Sequence, residues 1–343
     1  MKAIVIHAAH DLRIEEHEAE TAGPGQVEIA IGAGGICGSD LHYYHHGGFG
    51  TVRVREPMIL GHEVAGTIVA LGSSVSGLAI GDRVAVSPSR PCNACTYCLK
   101  GQQNHCLNMR FYGSAMPMPH IQGAFRQRLV AEAWQCHKVG DGVSVNEAAF
   151  AEPFAVVLHG LSHAGSLLGK RVLVTGCGPI GALTIMAARL HGAREIVATD
   201  VASAVLARAL TIGADRAINV AENPEEIAAY SANKGSFDVQ FECSGNEAAL
   251  RTGIDVLKPR GTLVQLGING DIKIPLNLIV AKEIRMKGSF RFHEEFALAV
   301  DLISQRRIDM TPLLTGIYPL EDAVKAFEIA GDRSQSMKVQ LSF

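Results

Sequence analysis

Arg171-Val172-Leu173-Val174-Thr175-Gly176-Cys177-Gly178-Pro179-Ile180-Gly181 runs from an apolar, β-branched stretch into a glycine turn, then into an alanine-rich helical pattern over residues 180–191. A GxGxxG triplet alone says little, because glycine is abundant here: 36 of 343 residues. The context gives it meaning. A predicted strand precedes it, a predicted helix follows, and Asp200 closes the next predicted strand, Glu195–Asp200, about 20 residues on. Gly176 permits the tight turn, Gly178 lets backbone approach a pyrophosphate, and Gly181 allows the helix to pack on the strand. Pro179 and Ile180 open a helix whose N-terminus offers free N–H groups and partial positive charge to phosphates. Asp200 can accept from a ribose 2′-hydroxyl and would repel a 2′-phosphate, which favours NAD. Arg208 nearby softens that discrimination, so NADP stays open. A glycine turn that binds nothing is the plainer reading, and it leaves this context unexplained.

Outward from this stretch the same texture repeats, with a helix pattern at 204–212 and strand patterns at 238–242 and 261–266. Alternating βαβ units predict a Rossmann doubly wound parallel sheet over 151–288. Residues 1–150 read differently. Period-two runs at 27–31, 64–69 and 82–86 between glycine turns predict a mostly β, antiparallel, barrel-like domain. Beyond 288 come helical patterns at 294–304 and 320–330 and a terminal strand at 338–343, and there is no internal repeat. The length suits two domains at about 150 residues each. With 48% hydrophobic and 19% charged residues the chain is not a disordered one. A net charge of -3 gives no electrostatic reason to bind nucleic acid or anionic membrane. The N-terminus lacks a signal-peptide pattern, and the uncharged run 172–188 is too short and glycine-broken for a spanning helix, so a cytoplasmic protein is expected.

Cys92-x2-Cys95-x2-Cys98-x7-Cys106 gathers four of the eight cysteines. Four thiolates complete a tetrahedral zinc with no open position, which makes a structural site. An iron–sulfur cluster competes, without the Cys-Pro partner of the ferredoxin spacing. Disulfides do not suit a reducing compartment. A nucleic-acid zinc ribbon would need more than the flanking Arg90, Lys100 and Arg110. A second set is scattered: Cys37, His62, Glu63 and Glu152. Singly, a cysteine is a small buried hydrophobe, a histidine a satisfied core residue, and Glu152 a helix-start carboxylate.

Here a resemblance adds what spacing alone does not. Gly61-His62-Glu63-x2-Gly66 followed by Gly81-Asp82-Arg83-Val84, with a four-cysteine lobe before a nucleotide-binding half, resembles the zinc-dependent medium-chain dehydrogenases from end to end. Cys37-Gly38-Ser39-Asp40-Leu41-His42-Tyr43-Tyr44 and Ala151-Glu152-Pro153 are similar to the polyol branch typified by sorbitol dehydrogenase. Residues 109–116 (Met109-Arg110-Phe111-Tyr112-Gly113-Ser114-Ala115-Met116) and 288–292 (Gly288-Ser289-Phe290-Arg291-Phe292) resemble members of that branch that oxidise sugar acids.

The resemblance implies a partly open GroES-like barrel as a discontinuous catalytic domain, 1–150 plus 289–343, bearing a structural zinc lobe. It implies two zinc ions per chain. Cys37 and His62 would bind the catalytic ion, with Glu63 or Glu152 as the carboxylate ligand, and that choice stays open. Ser39 and His42 would form a proton relay, with Asp40 orienting groups around the site. His45 and His46 have no family role and read as a solvated loop. Leu266, Ser289, Phe290 and Arg291 would join the glycine turn against the cofactor. Tyr43, Phe49, Arg110, Phe111 and Tyr112 would lie toward the substrate. The expected activity is NAD-linked oxidation of a secondary hydroxyl in a sugar acid. A neutral polyol, sorbitol or xylitol, comes second and threonine 3-dehydrogenation third. A zinc-free quinone reductase or a non-catalytic binding protein would leave the cysteine lobe and relay without a use. A homodimer or homotetramer is expected.

Overall fold

The computed structural model describes residues 1–268 and 270–343. Two compact units divide the chain: residues 1–155 with 293–343, and residues 156–292.

In the first unit the long strand Gln26–Gly35 alternates buried and half-buried residues, as a strand with one face on a core does. It pairs antiparallel with Glu63–Leu71, Arg128–Glu132 and Lys338–Ser342. Arg83–Val86 and Cys136–Lys138 extend the sheet on one side. On the other, Leu314–Pro319 adds a parallel strand to Lys338–Ser342. Ile4, Ile29, Val64, Phe125, Phe327 and Leu341 are buried together beneath it. One register matters most. Gly35 sits opposite Glu63 on one neighbour and opposite Gln340 on the other. The central strand thus places the His62-Glu63 segment and the start of the last strand on either side of Gly35.

In the second unit six parallel strands run in the order Arg216–Asn219, Glu195–Asp200, Arg171–Thr175, Phe237–Glu242, Leu257–Gln265, Arg285–Gly288. This is the doubly wound order, and the strand sequence reverses between Arg171–Thr175 and Phe237–Glu242. Leu173, Val197, Phe237 and Leu263 are fully or nearly fully buried, as strands covered on both faces require. Among the described residues no helix is long and apolar enough to cross a membrane.

Candidate active site and cofactor turn

Cys37 is the N-cap residue of the helix Gly38–His46. Its N–H donates to Asp40 Oδ2 at 3.0 Å, and the other oxygen of that fully buried carboxylate accepts from Gly61 N–H at 3.3 Å. Asp40 therefore ties the Cys37 segment to the Gly61-His62-Glu63 segment. It stands 3.8 Å from His62 Nδ1, so the structure makes it a bridge between the two. Ligand atoms of Cys37, His62 and Glu63 all lie within 4.8 Å of one another. His62 Nδ1 is buried with no hydrogen-bond partner among the described residues, a cost that a metal ion would remove. The donor set of thiol, imidazole and carboxylate suits zinc. Glu63 reaches this position because residue 35 is glycine: a Cβ there would come 2.2 Å from Glu63 Oε2.

Glu152, in the first turn of the helix Ala151–Ala164, is buried but is not one of those three converging groups. Burial pushes its carboxyl up to about 8; His62 opposes that shift while Glu63 and Cys37 add to it. Burial and the Glu63 charge likewise push the Cys37 thiol up to about 12. Facing these acids is a cation that no local sequence signal announces. Lys338, at the start of the last strand, is buried and donates to Glu63 Oε1 at 2.7 Å and to the Ile36 carbonyl at 3.1 Å. Burial pulls its ammonium down, but Glu63, Cys37 and Glu152 outweigh that and hold it above its usual value.

Ser39 and His42 share the helix Gly38–His46 at a spacing of three, which puts them on one face. Ser39 is half-buried and His42 exposed. Burial, with His46 and His45 nearby, holds His42 below the usual imidazole range. His45 and His46 lie in the last turn of this helix rather than in a loop; Gly47, at φ 65°, ends it in the left-handed conformation. Tyr43 is a correction. It is 2% exposed, packs on Phe49, and its hydroxyl accepts from Ala115 N–H at 3.1 Å, so it serves the core rather than the substrate. Tyr112 is buried as well, its hydroxyl donating to Gln135. Phe111 does reach the donor set, its ring 5.5 Å from that of His62. Arg110 precedes it on the short strand Arg110–Phe111 and is exposed where Phe111 is buried.

In the lobe, Sγ–Sγ distances are 3.5 Å for Cys92–Cys106, 3.6 Å for Cys95–Cys98 and 4.0 Å for Cys95–Cys106. A tetrahedron with zinc–sulfur arms of about 2.3 Å has edges of about 3.8 Å, so the four sulfurs already fit one zinc. All four cysteines are free. A multi-iron cluster, whose irons take separate thiolates, needs its sulfurs further apart. Backbone and Asn108 N–H donors hold the Cys92 thiol down at about 6, while burial pushes Cys98 up to about 12. Leu99 and Leu107 are exposed, so the lobe has little apolar core to hold it without metal.

The glycine turn of the second unit has the three features a dinucleotide needs. Gly176 takes φ 84°, and a Cβ at Gly181 would lie 1.8 Å from the Gly176 carbonyl. A Cβ at Gly178, by contrast, would meet nothing within 4 Å, leaving open space at the N-cap of the helix Pro179–Leu190. Asp200 caps the turn from the neighbouring strand. It accepts from Cys177, Val201 and Ala202 N–H groups at 2.7, 2.7 and 3.0 Å. Leu266 N–H donates to the Glu242 carbonyl and Ser289 N–H to that of Gln265, so both follow strand ends of the same sheet. Phe290 and Arg291 come next, with the Arg291 guanidinium 5.0 Å from the Phe290 ring centre.

A GroES-like fold with a zinc-ready donor set and a four-thiol lobe, in one chain with a Rossmann unit, defines a class. The chain matches the alcohol dehydrogenase GroES-like domain over residues 23–141 and the zinc-binding dehydrogenase domain over residues 179–305. It belongs to the zinc-binding medium-chain dehydrogenases and is an oxidoreductase. L-idonate 5-dehydrogenase (NAD(P)(+)) of Escherichia coli K12 is 42% identical over 92% of this chain and 91% of that protein. The crystal structure of L-idonate 5-dehydrogenase from that species superposes with a TM-score of 0.96 at 40% identity, covering 100% of this chain and 98% of the other. Sorbitol dehydrogenase of Gallus gallus is 35% identical over 99% and 95%. An alcohol dehydrogenase of E. coli CFT073 complexed with NADH shares 26% identity and a TM-score of 0.91 over 100% and 99%.

Proposed function

We propose that the protein reversibly oxidises a secondary hydroxyl of a sugar acid, of the L-idonate to 5-keto-D-gluconate type, with NAD as the partner. The observation that carries this reading is the 42% identity to an L-idonate 5-dehydrogenase along 92% of the chain, joined to a converging Cys37/His62/Glu63 set. Cys37, His62 and Glu63 would hold a catalytic zinc, with Glu152 behind them, and the four-cysteine lobe a structural one. When bound, zinc supplies Lewis acidity toward the substrate oxygen and NAD accepts the hydride. The chain's own part is to hold the alcohol and take its proton. Ser39 accepts the hydroxyl proton, and His42, kept neutral at pH 7, passes it on toward water. Asp40 fixes the two ligand segments to each other. Gly176, Gly178, Pro179, Ile180 and Gly181 would cradle the pyrophosphate, and Asp200 would favour NAD over NADP.

Arg110 and Arg291 are the proposed cations for the sugar-acid carboxylate. The exposure of Arg110 favours, as a second reading, a neutral polyol such as sorbitol, which needs no such partner. A panel of aldonates, polyols and threonine, assayed with NAD and NADP in parallel, separates the readings. L-Idonate should exceed sorbitol in kcat/KM by about tenfold or more with NAD, about 1.4 kcal/mol. Faster turnover of sorbitol or xylitol would overturn the sugar-acid assignment. We further propose a cytoplasmic homo-oligomer. Among the described residues the strand Arg285–Gly288 pairs on one side only, and Leu276 and Val280 in the preceding helix are exposed.

A further inference from the structure

Glu242 ends the strand Phe237–Glu242, directly opposite Thr175 across the point where the strand order reverses. It is fully buried, and burying a carboxylate is costly unless every lone pair is used. Here its hydrogen-bond partners are neutral donors drawn from three segments. Ser244 N–H donates to Oε1 at 2.8 Å and the Ser244 hydroxyl donates to the same oxygen. Gly245 N–H donates to Oε2 at 2.9 Å, and Gln265 Nε2 donates there as well, at 2.5 Å. Thr175 Oγ1 approaches at 3.5 Å. The Glu242 carbonyl meanwhile accepts from Leu266 and Gly267 N–H, both at 2.8 Å. One residue thus fixes residues 244–245 and 265–267, the chain leaving two adjacent strands at their carboxyl ends. The reach extends one step further. A Cβ on Gly176 would lie 2.8 Å from Ser244 Cβ, so Ser244 packs against the first glycine of the pyrophosphate turn.

In open parallel sheets the ligand lies outside the carboxyl ends of the strands at this reversal. We propose that Glu242 is a positioning residue for the dinucleotide, setting the floor of the reversal-point crevice through Ser244, Gly245 and Gln265. The inference rests on the NAD-linked reading above. Its side chain touches the floor and not the reacting atoms, so its loss should weaken binding while leaving the hydride step intact.

Glu242→Gln keeps the size but turns an amide donor into a nest of donors. The zinc-loaded full-length protein is titrated with NADH by nicotinamide fluorescence, alongside KM for NAD, kcat and Tm. The NADH dissociation constant and KM for NAD should rise about 10- to 100-fold, with kcat at saturating NAD within a few-fold of wild type. Ser244→Ala, which removes one donor and leaves the carboxylate, should give a smaller rise in the same direction. Leu263→Ala, a core truncation in the adjacent strand, serves as the stability-matched control. An NADH affinity unchanged in Glu242→Gln overturns the proposal, as does a rise that Leu263→Ala reproduces at equal loss of Tm. If Glu242→Gln fails to fold, an unchanged affinity in Ser244→Ala overturns it. Wild-type protein that does not bind NADH would defeat the NAD-linked reading instead.

Discussion

The two metal-ready sets of the first unit are built in opposite ways. The four-cysteine lobe takes all its donors from one short loop, offers four like groups, and leaves no position for substrate. Among the described residues, no lysine or arginine is paired with its thiols. The Cys37/His62/Glu63 set gathers three unlike donors from two segments, with Glu152 close by and Lys338, brought from near the end of the chain, against one of them. The first arrangement has a single use, to pin a loop with little core. The second offers three donors and a built-in counter-charge; a zinc held by those three would keep a fourth position for an anionic or alkoxide-like group to enter and leave.

The contrast is most directly broken by ligand substitution. Cys37→Ser or His62→Ala should cut kcat/KM by about 10⁴-fold, roughly 5.5 kcal/mol of lost transition-state stabilisation. Zinc content by atomic absorption should fall from about two to about one per chain, and Tm should hold within a few degrees. Cys98→Ser should invert the pattern. Its Tm should drop by about 10 °C or more as the lobe loses its metal, with residual activity tracking the folded fraction. If Cys98→Ser kept its Tm while losing turnover, the division into structural and catalytic sets would fail.

The ease of reading each set from sequence follows the same contrast. The lobe and the glycine turn are legible because their chemistry is local: x2-x2-x7 spacing and strand–GxGxxG–helix are complete within one loop. Cys37, His62 and Glu63 are ordinary residues until a family pattern singles them out, because a 25-residue gap carries no geometry. Lys338 left no signal at all. A lysine opening a terminal strand looks like a solvated end, and only the pairing of Gly35 with both Glu63 and Gln340 carries it inward. Tyr43 misleads for a similar reason. It adjoins His42, the proposed relay residue, in sequence, yet the next position on a helix turns about 100° away, here into the core. The choice between Glu63 and Glu152 also needs three dimensions, since both are buried acids and only one converges with Cys37 and His62.

Lys338 offers a sharper cut between the sets. Lys338→Met removes a buried partner of Glu63, and breaking such a pair costs about 3–5 kcal/mol when the other charge is left alone. In protein stripped by chelator the whole loss should appear. In zinc-loaded protein it should shrink, because the metal supplies the missing positive charge to Glu63. Parallel melting curves of both forms test this. Equal losses with and without zinc would show that Lys338 merely packs the last strand and has no electrostatic link to the donor set.

The smallest effect separates protonation of the scaffold from protonation of the donors, which acid would otherwise confound. His137 lies on the strand Cys136–Lys138, 5.1 Å ring to ring from Phe296, away from both sets, and burial holds its imidazole below the usual range. A histidine that resists protonation when folded takes up a proton more readily unfolded. Its contribution to stability is therefore present above the unfolded value, about 6.5, and is lost as pH falls through the lower folded one. Zinc release also sets in with acid, because ligands must be deprotonated. Melting chelator-treated protein between pH 7.5 and 5.5 removes that second contribution. There His137→Leu should lose less Tm over the interval than wild type, by the equivalent of about 1 kcal/mol or less. His42 and His293, similarly lowered, keep part of the slope in both proteins. If the two slopes coincide, His137 carries none of the acid sensitivity, and the acid loss in stripped protein must come from those other histidines or from the freed donor sets themselves.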